Sequence, residues 1–342
     1  MTALQCVTGP LRIGTRTKDL TRRLGPGDIA VLDHADLDQV AADGLLERNV
    51  VAIVNGAASI TGRYPNVGPL RVVNAGVALL DRVGSDTVGT LTEGNVATLV
   101  GDRLFVDGRV VATGRRQNAS MLRVDLEHAK SRIGSELQKF AENTLAYMRA
   151  EQFLLLDQPR LPTLRVNVRG RDVVVVVRGD QFREDLNALQ RYFRDVDPLI
   201  YAVDGAADTV VAAGMRPDVI IGDFDSVSTS TLHCGAQLIV HAYPTGEAPG
   251  AKRLCAEGLA FDTFALAGTS EDIAILLAYE KGADLIVAVG THVSLIDFLD
   301  KGRSGMASTF LTRLKVGPIL IDARGFNKLY EPRVRTESRN HR

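Results

Sequence analysis

The sequence predicts an α/β protein. A doubly wound, mostly parallel sheet fills the second half, preceded by a β-rich α/β domain and a long connector helix. Three observations carry this. From Leu164 to Leu329, short apolar runs alternate with segments of helical period. The run Val173–Val177 is valine throughout, the composition of a parallel strand buried on both faces. Leu122, Leu126, Ala129, Ile133, Leu137, Phe140 and Tyr147 recur at spacings of three, four or seven and describe one apolar stripe on a helix reaching about Leu156.

In chain order, the first domain covers 1–118. Strands are expected at Asp28–Leu32, Val50–Val54, Asn95–Val100 and Arg103–Val111, with a helix over Asp33–Leu46. The turn residues Gly101-Asp102 and Asp107-Gly108 punctuate a hairpin. The connector and linker span 119–162, closed by Pro159 and Pro162. The connector's stripe packs on its own domains or forms the seam of a homodimer.

The second domain covers 163–330 and a polar tail covers 331–342. Its expected strands are Arg165–Val168, Asp172–Val177, Leu199–Val203, Asp218–Ile221, Ala236–His241, Phe264–Leu266, Asp284–Val289 and Pro318–Ile321. Helices are expected at Phe182–Tyr192, Ala206–Ala213, Thr269–Lys281 and Ser304–Leu314.

Composition narrows the functional classes. A net charge of −1 argues against nucleic acid as a partner and against an anionic membrane surface. Cys6, Cys234 and Cys255 lack metal-ligand or redox-pair spacing, which fits a reducing cytoplasm. No signal peptide and no spanning apolar run is present among the 342 residues.

The chemistry concentrates where two apolar runs end in carboxylates, at Asp204 and at Asp223 with Asp225. Parallel strands deliver functional groups to a ligand at their C-terminal ends. Carboxylates converging there repel one another unless a cation lies between them, and hard oxygen donors favour Mg²⁺. The bland alternative is turn chemistry, since Asp-Gly and Asp-Ser are good turn formers. After the valine run, Gly179 would let backbone approach a phosphate, with Arg178 and Arg183 supplying charge; tight strand-to-helix packing accounts for that glycine equally well. Lys301, Arg303 and Ser304 open an expected helix and combine cations, glycines and hydroxyls as an anion site does. A second, weaker anion loop is Ser59, Thr61, Gly62 and Arg63.

Asp204-Gly205-Ala206 and Gly222-Asp223-Phe224-Asp225-Ser226 resemble the signature of the thiamine pyrophosphokinase catalytic domain. The wider likeness, over nearly the whole chain, is to the actinobacterial SteA-like family of cytokinetic-ring proteins. The first domain is similar in outline to the swivelling domain of phosphoenolpyruvate-utilising enzymes, but its glycine-rich loop, 55–68, lacks a phosphorylatable histidine.

The pyrophosphokinase resemblance implies Mg²⁺ held by Asp204, Asp223, Asp225 and Asp272. It also implies ATP or another nucleotide contacted by Gly205, Gly222, Ser226 and Thr269. The residues of Gly268–Asp272 read equally as a helix cap. The SteA-like resemblance implies a homodimer, a SteB-type membrane partner, and association with the membrane at the division site, with a C-terminal hydrophobic segment beyond residue 342 and the absence of such an anchor both left open. Two departures from the pyrophosphokinase pattern, together with the absence of Trp, count against thiamine as substrate. Gly290–Asp297 lacks the family's Arg and Asp-His pair, and the chain has no Trp and no room for a C-terminal β-sandwich. Three functions stay open: a nucleotide-sensing or scaffolding division protein, an active diphosphotransferase acting on a hydroxyl of an unknown small molecule, and a structural relic.

Overall fold

The computed structural model describes residues 6–14, 17–156, 159–300 and 305–329. The chain divides into two compact units, Met1–Thr144 with Ser294–Gly305, and Leu145–Val293 with Met306–Arg342. The boundary therefore falls inside the long helix, not at either end of it.

In the first unit the elements run β1 (Cys6–Gly14), α1 (Thr17–Arg23), β2 (Ile29–Leu32), α2 (Gln39–Leu46), β3 (Ala52–Asn55), α3 (Gly68–Asn74), β4 (Ala78–Asp81) and α4 (Ser85–Thr90). They continue with β5 (Val96–Val100), β6 (Arg103–Val106), β7 (Arg109–Thr113), β8 (Arg115–Arg116) and α5 (Ala119–Glu151). The strands form one mixed sheet in the order β7-β6-β5-β1-β2-β3-β4-β8. β1 to β4 are parallel, while β5 runs antiparallel to β1 and β8 antiparallel to β4. Alternate residues serve opposite faces: Val31 and Val54 join one core, and Leu32 and Ile53 join another with Leu20, Leu45 and Val72 from the helices.

Two sequence expectations change here. Asp38, not Asp33, starts the helix, because its carboxylate accepts the Ala41 N–H and caps it. The run Arg103–Val111 is two strands, divided at the Asp107-Gly108 turn that the sequence does mark, with both turn residues at positive φ. The connector is helical for 33 residues. Of its apolar stripe Leu122, Leu126, Ala129 and Phe140 are buried, whereas Leu137 and Tyr147 are about half exposed.

The second unit continues with α6 (Phe153–Leu156), β9 (Asp172–Val176), α7 (Phe182–Ala188), α8 (Gln190–Val196), β10 (Leu199–Val203), α9 (Ala206–Ala212), β11 (Val219–Gly222), α10 (Thr229–Leu232) and β12 (Gln237–Ala242). Then come α11 (Ala251–Ala256), β13 (Asp262–Ala265), α12 (Ser270–Glu280), β14 (Leu285–Val289), α13 (Leu295–Asp300), α14 (Ala307–Val316) and β15 (Leu320–Asp322); α13 is assigned to the first unit. Its seven strands are all parallel, in the order β13-β12-β11-β10-β9-β14-β15.

The valine strand is β9, between β10 and β14, and it is buried on both faces. Val173 and Val175 pack with Ile273, Leu276 and Leu277 of α12 and with Leu311 of α14. Val174 and Val176 pack with Phe182 of α7, Val210 of α9 and Leu254 of α11. Helices thus cover both faces, as the doubly wound reading expects. Arg165–Val168 is not a strand: the Arg165 N–H donates to the Gln237 side chain at 2.8 Å, and of the four residues Val168 alone is fully buried in the core. The helix expected over Phe182–Tyr192 breaks at Leu189 into α7 and α8. Among the described residues no helix is long and apolar enough to cross a membrane.

Candidate functional site

β10 and β11 are neighbours in register, Val203 opposite Ile221, so the residues that follow them meet at one sheet edge. Asp204 leaves β10 in the left-handed region, with φ 48°, and its N–H donates to the Ile221 carbonyl at 3.0 Å. Its carboxylate turns toward the β11 loop and accepts the Phe224 N–H at 3.0 Å. Phe224 is itself left-handed, with φ 61°, and its ring is fully buried. Two non-glycine residues in this sparsely populated region within one pair of loops mark a backbone held in place by its surroundings.

The same two loops are stitched twice more. Ser226 Oγ accepts the Gly205 N–H at 3.0 Å, and the Asp208 carboxylate accepts both the N–H and the hydroxyl of Ser228, at 3.1 and 2.7 Å. Asp223 accepts the Asp225 N–H at 3.0 Å, and both residues are exposed at the strand end. From below, Arg253 of α11 donates one guanidinium nitrogen to the Phe224 carbonyl and another to the Val227 carbonyl, the latter at 2.7 Å. Gly250 lies so close beneath that an added Cβ would stand 2.6 Å from the Asp223 carbonyl oxygen. Neither Arg253 nor the Asp208–Ser228 tie is foreseen from the sequence. Arg253 sits on a six-residue helix with no cap signal, and Asp208 has the pattern of an ordinary first-turn helical acid.

Other expected site residues have different placements. Asp272 is 1 % exposed and forms a capping box with Thr269, whose hydroxyl accepts the Asp272 N–H at 3.0 Å. Asp272 Oδ2 in turn accepts the Thr269 N–H at 3.0 Å and the Ser308 and Thr309 hydroxyls at 2.9 and 3.1 Å. Burial, then the neighbouring Glu271, push its carboxyl above the usual range, against the hydrogen bonds from Thr269 and Ser308 that favour its charge. Glu151 is raised by burial and then by Asp272. The four acids expected to share one Mg²⁺ are not gathered: among the described residues no three His, Cys, Asp or Glu side chains form a metal-holding group.

Gly179 is accounted for by packing, since a Cβ there would stand 2.2 Å from the Gly290 carbonyl oxygen. Lys301, Arg303 and Ser304 lie outside the described residues. His292 is an interior group, its ring Nδ1 2.9 Å from Glu271 and both residues buried. The 55–68 loop uses its donors internally. The Ser59 N–H and hydroxyl donate to Asp81, and the Thr61 N–H and hydroxyl to Asp36. The Arg63 guanidinium donates to the Leu299 carbonyl. The Ser59 and Thr61 donors are thus already committed to carboxylates, which counts against an anion at those two residues.

A direct consequence concerns Asp272. Asp272→Ala removes the carboxylate half of the capping box, while Thr269 still caps the helix, and leaves the Thr269 N–H and the Ser308 and Thr309 hydroxyls without their acceptor, so we expect a loss of about 2–3 kcal/mol in chemical unfolding. Asp272→Asn, which keeps an acceptor for the Thr269 N–H, should recover part of that loss.

No family model matches the sequence and no curated protein matches it. Among solved structures, the chain is similar to a thiamine pyrophosphokinase from Bacillus subtilis, at 22% identity and a TM-score of 0.27, over 44% of this chain. The match spans 60% of that protein's length. It is also similar to an uncharacterized protein from Pseudomonas syringae pv. tomato str. DC3000, at 10% identity and a TM-score of 0.16, over 40% of this chain and 70% of that one.

Proposed function

We propose that the second unit binds the Mg²⁺ complex of a nucleotide or pyrophosphate at the C-terminal ends of β10 and β11, and that it acts as a sensor or scaffold in cell division. The observation that carries the binding reading is the locked pair of loops. Asp204 and the Asp223–Ser226 segment are held by mutual hydrogen bonds at the edge of a parallel sheet where such folds present ligand groups. Asp223 and Asp225 are exposed carboxylates of the hard-oxygen type that suits Mg²⁺ with coordinated water, a metal that uses one or two carboxylates beside substrate phosphates. That fits a small site completed by the ligand better than an all-protein cage, in keeping with the absence of a three-acid group among the described residues.

A bound Mg²⁺ would neutralise phosphate oxygens and orient them. The chain's own contribution is positional. Gly205 and Ser226 hold the β10 turn, Asp204 holds the Phe224 amide, and Gly222 lets the two strand ends approach. Asp272 and Thr269 support the fold behind this edge.

The role in division, as a homodimer with a SteB-type membrane partner, is supported by the whole-chain sequence resemblance. The half-exposed Leu137 and Tyr147 of the α5 stripe offer apolar surface to a second copy. The alternative is a diphosphotransferase acting on a small-molecule hydroxyl other than that of thiamine. It draws on the same exposed carboxylates.

Calorimetric titration with ATP, GTP and ADP, with and without Mg²⁺, tests the reading. Wild-type binding should require the metal, and Asp223→Ala should weaken it by at least about a hundredfold, an effect of about 2.7 kcal/mol. Equal binding by the variant would remove Asp223 from the site. Release of AMP from ATP would select the enzyme over the sensor.

A further inference from the structure

Beyond the acidic loops, we propose that Arg178 is the residue of this edge that contacts the ligand's phosphate, which makes the ligand class a diphosphate anion held between a guanidinium and a carboxylate-bound metal. This rests on the proposed Mg²⁺ site at β10 and β11 and adds the group that recognises the anion itself. The sequence offers Arg178 and Arg183 alike as charge near a phosphate; the placement of Arg178 over the β10 turn is what singles it out.

Three observations combine. First, the turn that carries Arg178 follows the central strand β9, at the point where strand order reverses: the chain proceeds from β9 to β10 on one side and returns as β14 on the other. Ligands of open parallel sheets bind outside the strand ends at such a reversal. Second, the turn is fixed. The Val177 N–H donates to the Val289 carbonyl at 2.9 Å, Gly179 abuts the Gly290 backbone, and Gln181 is left-handed with φ 55°.

Third, the Arg178 side chain lies down over the turn between β10 and α9 although it is an exposed residue. A Cβ added at Gly205 would stand 2.7 Å from its Nη1, 3.1 Å from its Cδ and 3.0 Å from Ser226 Oγ. Glycine at 205 is thus what allows the guanidinium to rest there, beside the hydroxyl of the signature loop. Among the described residues Arg178 has no hydrogen-bond or ion-pair partner, although the loops beside it carry Asp204, Asp223 and Asp225. A planar donor fork held at a ligand edge and committed to no carboxylate suits bidentate phosphate contact.

The test is titration of inorganic pyrophosphate, in MgCl₂ and in its absence, into wild type, Arg178→Gln, Arg178→Lys, Gly205→Ala and Asp223→Ala. Arg178→Gln should bind at least about tenfold more weakly than wild type while keeping its dependence on Mg²⁺, with Arg178→Lys in between. Gly205→Ala keeps the charge but displaces it. Its backbone φ of −63° accepts alanine, the nearest clash falls on the flexible Arg178 side chain, and Ser226 Oγ, 3.0 Å from the added Cβ, has to give by a few tenths of an ångström, so the variant should fold and bind as poorly as Arg178→Gln. Unfolding midpoints of the Arg178 variants should match wild type, because the residue is exposed. Wild-type affinity in Arg178→Gln and Gly205→Ala, with affinity lost in Asp223→Ala, overturns the assignment of Arg178 and leaves the acidic site standing. Absence of binding by wild type overturns both.

Discussion

Gly222→Ala is expected to be the most damaging single substitution at the ligand edge. Gly222 has φ 150°, a conformation available to glycine and rarely to other residues, and it ends β11 directly opposite the β10 turn. A Cβ there would stand 1.9 Å from Asp204 Oδ1 and 2.3 Å from its carboxyl carbon, closer than any real contact. Relief is blocked on each side. Asp204 is held through its N–H to Ile221 and through its carboxylate to Phe224, and β11 is hydrogen-bonded between β10 and β12. The backbone penalty is about 1–3 kcal/mol and the overpacking about 1–3 kcal/mol more. Together, at about 2–6 kcal/mol, they reach the lower end of the stability of a typical domain, about 5–15 kcal/mol. Denaturant unfolding should show a midpoint shift of that order or no soluble folded protein. A fold of wild-type stability would mean that Asp204 can swing away, and then metal-dependent binding should be lost with no change in unfolding.

The Gly222–Asp204 contact also shows how far the amino-acid sequence alone reaches. Val173–Val177 announces an interior parallel strand because a strand buried on both faces is the element that accommodates five adjacent branched apolar residues. Asp204 and Asp223 are legible for the related reason that each stands where an apolar run stops. Arg165–Val168 misleads, since its apolar alternation imitates a strand, yet its amide serves the Gln237 side chain and no ladder. Asp272 carries two readings with the same local pattern. Three-dimensional neighbours, the Ser308 and Thr309 hydroxyls, commit its Oδ2 to the interior. Arg253 is beyond reach because its meaning lies in carbonyls of a loop far behind it in sequence. Side-chain periodicity records which face is buried, but it does not record which distant backbone a surface cation will hold.

Arg253 therefore supplies the second large effect. It commits two nitrogens to the Phe224 and Val227 carbonyls, so it grips the signature loop at both ends of the turn that presents Asp225 and Ser226. Phe224 needs that grip: its left-handed backbone is held by Asp204 on its N–H and by Arg253 on its carbonyl, with the buried ring as the third anchor. Arg253→Gln removes the charge and the fork. A charge-assisted hydrogen bond contributes about 1.5–3 kcal/mol, and partial exposure lets water replace some of it, so a loss of about 2 kcal/mol in unfolding is expected. Arg253→Lys can satisfy one carbonyl at a time and should fall between the two. The same series separates a brace from a merely stabilising residue. If the loop must be held for its carboxylates to meet a ligand, Arg253→Gln should weaken Mg²⁺–pyrophosphate binding by about tenfold at temperatures where the variant is fully folded, with Arg253→Lys recovering part of it. A double-mutant cycle with Asp223→Ala would then show strong coupling, since two changes to one loop are not additive. Additive losses in that cycle, with binding unchanged in folded Arg253→Gln, would reduce Arg253 to an ordinary anchor of α11. In that case the locked geometry of the loop would have to come from Asp204 and the buried Phe224 ring alone.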